Sequence, residues 1–392
     1  MTGALEGLTV LDLSRLLPGG YATLMLADMG ADVIKVEEPG KGDYIRWSPP
    51  MVGDYSAAHV ALNRNKRSIT IDLKNEAGRD VFLRLAGSAD VLVESFRPGV
   101  MDRLGVGYDV LRARNPRLVY AAITGYGQDG PRALEAGHDQ NYMAYAGALG
   151  IMGEEGRRPT IPGLQIGDLA AGGMNAVIAV LAALYRREAT GTGDLCDVAM
   201  MDGIVSWLSI HAGAFHATGE DPRPELMPLS GLYPCYRVYP AADGWLAVGA
   251  LEPQFWAQLV QAIERPDLAG DAFAVGERRD EVIRELSGLF STRTRAAWMD
   301  AFAGKDVCVA PVNSFSEAFR DPQIRHRRMV FASELPDGRD WVHMGDPIRL
   351  RAAPGSPDRL PPPGLGQHTS EVLRAAGYED ADIERLRRAG AI

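Results

Sequence analysis

Apolar positions in the first half of the chain fall into short continuous runs separated by stretches of helical spacing. LTVLDL (8–13) is an apolar run of strand length, GGYATLMLADMG (19–30) has helical spacing, and ADVIKVE (31–37) is a second β run. Strand, helix and strand in that order predict a parallel βαβ unit with a right-handed crossover. The alternation continues with SITIDL (68–73) as a strand and NEAGRDVFLRLAGSA (75–89) as a helix. DVLVESF (90–96) and LVYAAITGYG (118–127) follow as strands. The pattern predicts an open, Rossmann-like α/β domain with a parallel sheet. The connection after the first strand, SRLLPGG, lacks GxGxxG, and GVGYDV (105–110) does not open a helix after a strand. A nicotinamide or flavin site therefore has no support beyond the fold pattern.

The longest apolar run, LAAGGMNAVIAVLAALY (169–185), is short for a bilayer span, rich in Ala and Gly, and contains Asn175. It predicts a core helix closing the α/β half at the RREATGTGD turn, so residues 1–200 form the large domain. A linker helix and loop are expected over 201–224. Around 222–235 the texture changes to the proline-rich DPRPELMPLSGLYPC. YRVYPAADGWLAVGAL (236–251) then reads as a hairpin turning at Asp243-Gly244. Helices at about 254–264, 278–291 and 294–304 and the strand DVCVAPV (306–312) complete a smaller α+β domain over 225–320. A Pro/Gly-rich extended segment from residue 353 leads to a last helix near 369–389. Residues from about 330 to 392 are expected to complete the large domain.

A chain of 392 residues favours two domains. Its 46% hydrophobic and 23% charged residues are ordinary for a soluble globular protein. A net charge of −10 argues against a nucleic-acid partner but leaves room for local basic pockets. Cys196, Cys235 and Cys308 form no CxxC pair, so neither a disulfide framework nor a metal site is expected. The N-terminus has no secretory pattern, and a reduced cytoplasmic setting without a membrane partner follows.

Two motifs about thirty residues apart carry candidate chemistry: AGHDQNY with His138 and QIGDLAAGG with Asp168. Both stand beside glycine, where the backbone can turn sharply and a substrate can come close. Histidine exchanges a proton near neutral pH. Aspartate can serve as acid, base or oxygen nucleophile, and Asp168 can also cap a helix starting at Leu169. The segment NRNKRSITIDLK holds Asn63, Arg64, Lys66, Arg67 and Lys74, and Arg97 and Arg103 follow. Such a cluster is either solvated charge flanking a strand or, on an acidic chain, a pocket for phosphate groups.

Over nearly its whole length the chain resembles the CaiB/BaiF group, which unites class III coenzyme A transferases and α-methylacyl-CoA racemases. The resemblance runs through GLTVLDLSRLLPGGYATLMLADMGADVIKVEEP, NRNKRSITIDLK, FRPGVMDRLGVGYDVL, GHDQNY, DLAAGG, DGWLAVGALEPQFW, CVAPV and LGQHTSEVL. It implies an interlocked homodimer, each chain having a Rossmann-like large domain and a small domain. It further implies an acyl-CoA thioester as partner, coenzyme A entering as part of the substrate and no permanently bound cofactor. By motif position the coenzyme A contacts are Ile71, Asp72, Leu73, Lys74, Phe96, Arg97 and Arg103, with Gly137, Asp139, Asn141 and Tyr142 around the histidine. Racemases of the group tend to carry an arginine where Glu38 stands, and Arg46 is expected to take over that contact. The catalytic set is His138 and Asp168, with Glu252 of ALEPQFW as a carboxylate that can pair with the histidine.

The resemblance leaves two chemistries open. A histidine in GHD and the lack of a glycine run in MPLSGLYPCY, where only Gly231 is present, favour racemisation by 1,1-proton transfer. Glu38, the GDYIRW segment and a helix N-terminus that keeps Asp168 ionised favour coenzyme A transfer through an aspartyl mixed anhydride. Racemisation of a 2-methylacyl-CoA is the leading expectation, transfer the alternative, and a non-catalytic coenzyme A-binding subunit the third.

Overall fold

In the computed structural model, which describes residues 3–392, six parallel strands make one sheet. They are β1 (Thr9–Asp12), β2 (Asp32–Glu37), β3 (Lys66–Thr70), β4 (Val91–Glu94), β5 (Val119–Thr124) and β6 (Leu195–Ala199). Their order across the sheet is β3-β2-β1-β4-β5-β6. In the centre Val10 of β1 stands opposite Val33 of β2 and Val91 of β4. The order reverses between β1 and β4, the place where open α/β sheets leave a crevice outside the carboxyl ends of the strands. Buried Val, Ile and Leu side chains dominate the central strands, as two covered faces require. The fold is the mixed α/β architecture that the alternation predicts.

Helix α1 (Pro18–Asp28) starts with proline, whose missing N–H is no loss in a first turn. Helix α2 (Glu76–Ala86) is capped by Asn75, which accepts from the N–H of Ala77. Helix α3 (Asp139–Tyr145) precedes a nine-residue π-helix, Ile166–Met174, which runs into α4 (Asn175–Thr190). Gly191, at φ 72°, stops α4 in the left-handed region open to glycine. Asp168 therefore does not cap a helix starting at Leu169; the cap position is Gln165, and Asp168 lies inside the first turn. The stretch Ile166–Thr190 is long and apolar enough to cross a membrane by length and composition, with 44% of its most apolar window buried. Its packed side buries Val177, Val180 and Leu184, and Arg187 reaches Asp90 at 3.0 Å. Helix α5 (Met200–Trp207) follows β6, a strand with no counterpart among the sequence expectations. Among the described residues β6 pairs only with β5, so exposed and polar positions interrupt its apolar run.

The chain divides into two compact units. One comprises residues 3–148, 162–208 and 323–392; the other comprises 149–161 and 209–322. In the second unit β7 (Tyr236–Ala241) and β8 (Gly244–Gly249) form the expected hairpin, and β9 (Val309–Pro311) pairs with β8. The turn itself is Ala242-Asp243, because Gly244 already pairs with Ala241. Helices α6 (Pro253–Ala262), α7 (Gly276–Phe290) and α8 (Arg295–Phe302) close over Tyr239, Leu246, Trp256, Phe290 and Trp298, all buried.

Back in the first unit, β10 (Val330–Glu334) and β11 (Asp340–Met344) form an unexpected hairpin. The final segment is two helices, α9 (Thr369–Ala375) and α10 (Asp380–Arg388), rather than one. Gly377, at φ 82°, breaks them apart.

Candidate active site

A cleft of about 1120 Å³ opens at the carboxyl ends of the parallel strands. Each strand contributes residues at or just after its end: Leu13 to Leu16 from β1, Glu37 and Glu38 from β2, Ile71 to Lys74 from β3, Ser95 to Arg97 from β4, Gly125 and Tyr126 from β5, and Met200 from β6. Arg103, Gly137, His138, Asn141, Tyr142 and Asp168 also line it. Thus Ile71, Asp72, Leu73, Lys74, Phe96, Arg97, Arg103, Gly137, His138, Asn141, Tyr142 and Asp168 share one cleft.

The basic segment 63–67 is elsewhere. Lys66 is buried and donates to Asp12 Oδ2 at 3.1 Å and Thr23 Oγ1 at 2.7 Å. Arg64 pairs with Asp28 and donates to the Pro357 carbonyl at 2.7 Å. Arg67 pairs with Asp32 at 2.5 Å and Glu371 at 2.9 Å. None of these cations lines the cleft, so the phosphate-pocket reading is corrected for all three: carboxylates elsewhere in the fold pair with them. Arg46 is corrected likewise. Its Nε donates to Glu37 Oε1 at 2.7 Å, its Nη2 to Glu37 Oε2 at 2.6 Å, and it lies off the cleft lining. A bidentate pair of this kind, with a side chain only 9% exposed, leaves no fork for a ligand.

Asp139 is a third correction. It does not line the cleft; its Oδ1 accepts the backbone N–H of Asp168 at 2.9 Å. Glu252 stands at the N-cap of α6 in the other unit, with no side-chain hydrogen bond to the helix start.

The β1 loop was missed as a wall of the site, although the end of the first strand at a switch point marks such a place in any open α/β sheet. Leu16 sits at φ 60°, a left-handed conformation that costs a non-glycine residue about 1–2 kcal/mol. Its N–H is held by Asp43 Oδ1 at 3.1 Å, and Asp43 is paired in turn with buried Lys35 at 3.0 Å. Arg15 lies with its guanidinium carbon 5.1 Å from the ring centres of both Tyr44 and Phe96. Glu38 holds the rim cations loosely, 4.0 Å from Arg15 and 3.4 Å from Lys74.

The glycines around His138 have a packing reason. A Cβ on Gly125 would meet the Tyr142 ring at 2.3 Å, and one on Gly137 would meet it at 2.7 Å. Tyr142 is thereby lodged with its hydroxyl donating to the Gly137 carbonyl at 2.5 Å. His138 is the N-cap residue of α3, and its N–H donates to Asn141 Oδ1 at 3.0 Å. Burial, and after it the negative charge of Asp139, push the Asp168 carboxyl up to about 6, against the opposing pull of His138. The expectation that a helix start keeps Asp168 firmly ionised is thus reversed. The cleft brings His138 together with this raised Asp168, with exposed cations Lys74, Arg97 and Arg103 on the same wall. Among the described residues no cluster of His, Cys, Asp and Glu is arranged to hold a metal ion.

Residues 5–369 match the sequence model of CoA-transferase family III. The chain is 38% identical to a succinyl-CoA:mesaconate CoA-transferase of Haloarcula hispanica, over 96% of this chain and 97% of that protein. It is 35% identical to the human alpha-methylacyl-CoA racemase, over 98% of this chain and 96% of that protein. A solved structure of a CAIB/BAIF family protein from Brucella suis superposes with a TM-score of 0.83 at 33% identity, covering 96% of this chain and 100% of that one.

Proposed function

Because the chain belongs to CoA-transferase family III, an acyl-CoA-processing family with both racemases and transferases among its members, we propose that it racemises the α-carbon of a 2-methylacyl-CoA. The observation that carries this reading is the pairing, in one cleft, of His138 with an Asp168 whose acidity is shifted to about 6. A carboxyl in that range accepts and returns a proton at neutral pH far more readily than an ordinary aspartate.

In the proposed reaction one group removes the α-proton, leaving a planar enolate, and the other delivers a proton to the opposite face. The roles exchange with the handedness of the substrate. Lys74, Arg97 and Arg103 suit the phosphates of coenzyme A, while Phe96, Leu73 and Ile71 offer apolar contact.

A second reading is favoured by the Haloarcula relative, a CoA-transferase. There Asp168 attacks the thioester carbonyl, the C–S bond breaks, and coenzyme A thiolate leaves as an acyl-aspartyl anhydride forms. The thiolate then attacks the aspartyl carbonyl and expels the donor carboxylate, leaving an aspartyl-CoA thioester. An acceptor carboxylate displaces the thiolate from it to give a second anhydride, and the thiolate attacks the acceptor carbonyl, releasing the new acyl-CoA and free Asp168.

Incubation with one stereoisomer of a 2-methylacyl-CoA in heavy water, without an acceptor acid, separates the two. Racemisation introduces deuterium at the α-carbon and scrambles the centre, and His138→Ala slows this by about 10²-fold or more. Retained α-protium, with hydroxylamine trapping an aspartyl hydroxamate at Asp168, overturns the racemase reading in favour of transfer.

We also propose that the working form is a homodimer, supported by the exposed apolar side chains Met174, Ile178 and Tyr185 of the Ile166–Thr190 stretch. Light scattering is expected to report twice the chain mass, and an active monomer would refute it.

A further inference from the structure

The π-helix Ile166–Met174 begins after Gln165 without a capping side chain of its own. The N–H of its third residue, Asp168, is one of the first-turn donors that have no acceptor within the helix. Here the acceptor comes from outside, as Asp139 Oδ1 at 2.9 Å. Gly167 makes room for it, because a Cβ there would stand 3.0 Å from that same oxygen. Asp139 is the first residue of α3, directly after His138, whose backbone is tied to Asn141. One short turn therefore carries His138 into the cleft and reaches behind Asp168.

We propose that Asp139 is a positioning residue for Asp168: it takes the Asp168 N–H at the π-helix start, leaving the Asp168 carboxylate free to face the cleft and take up a proton. This rests on the reading of Asp168 as the reacting carboxyl. Two acids share one helix N-terminus, and only the one bonded to the N–H enjoys its full stabilisation. The other feels its neighbour's charge without that relief. The groups whose charge acts on Asp168 are His138 and Asp139, and Tyr142 also faces it. Toward the π-helix α1 turns Pro18 and Tyr21, and α5 turns Met200. The acid of α5, Asp202, acts on Asp197.

The test is a titration of Asp168 by carboxyl-carbon NMR, assigned by the loss of its signal in D168N. The intact protein is expected to titrate near 6. In Asp139→Asn, which keeps an oxygen acceptor but loses the charge, the midpoint is expected about one pH unit lower or more, the scale of a close charge. The acidic limb of the catalysed reaction should move by the same interval. Asp139→Ala, which removes the acceptor, is expected to lower kcat about tenfold or more with little change in KM, and Asn should restore most of it. An unchanged midpoint in Asp139→Asn overturns the proposal, as does an Asn variant no better than Ala. If Asp139→Asn does not fold, Gly167→Ala, whose Cβ would press on the Asp139 carboxylate at 3.0 Å and loosen its bond to the N–H, should shift the midpoint in the same direction. The titration needs no substrate, so its outcome stands whichever reaction the enzyme performs. Failure of the heavy-water experiment alone removes the racemase reading and leaves this result intact.

Discussion

Two basic regions that read alike in the chain behave in opposite ways in the fold. Around the start of β3, Arg64 and Lys66 are turned inward onto Asp28 and Asp12, and Arg67 is paired with Asp32. Lys74, Arg97 and Arg103 follow β3 and β4, stay exposed and line the cleft. Lys66 of the first set belongs to an ionic frame. Asp12 connects it to Lys35, Lys35 to Asp43, and Asp43 to the N–H of Leu16 in the cleft wall. What separates the sets is position along a strand. A cation within or before a buried strand must meet a carboxylate, whereas one just past its carboxyl end reaches the crevice.

The sharpest way to break this contrast is Lys66→Met. It leaves Asp12 buried beside one lysine instead of two, and truncating a buried ion pair costs about 3–5 kcal/mol. Urea unfolding should show that loss, while acyl-CoA affinity in the folded fraction stays within a factor of about two. A stable variant with weakened binding would place Lys66 in the site after all.

Acid provides a second, smaller test of the frame. Burial opposes ionisation of both Asp12 and Glu37, yet Lys35 and Lys66 hold the first, and Arg46 the second, at about 2. Their folded values lie below the ordinary 3.8 and 4.5, so the stability they contribute is complete above the ordinary values. It is lost as pH falls through about 2. The urea midpoint should drop across that window; a level midpoint would mean the frame is not held by charge.

For the rim set the signs exchange. Arg97→Ala or Arg103→Ala should change stability by no more than about 0.5 kcal/mol. Acyl-CoA affinity should fall about tenfold, as for one lost charge-assisted bond, and depend less on salt. Lys74→Ala should have the smallest effect, about two- to threefold, because an exposed lysine already shares Glu38. Calorimetric titration at two salt concentrations reads all three, and equal binding by the variants and the parent would remove the cations from the site.

The periodicity of apolar runs was enough for the βαβ alternation, for most strands of the sheet and for the hairpin at 236–249, because burial on two faces demands continuous apolar runs and local turn chemistry is written in neighbouring residues. The edge strand β6 escaped because one unpaired side lets exposed positions break its run. The GHD and GDLAAGG motifs marked His138 and Asp168 by residue type and glycine context alone. Tertiary structure alone decided that Arg46 faces Glu37 rather than a ligand, that Asp139 bonds the Asp168 amide, and that Arg15 lies between Tyr44 and Phe96 in the wall. Each of those choices depends on which partner lies opposite across a sheet or turn. Composition and spacing record a side chain's chemistry; the partner that neutralises it, caps with it or leaves it free comes from segments distant in the chain.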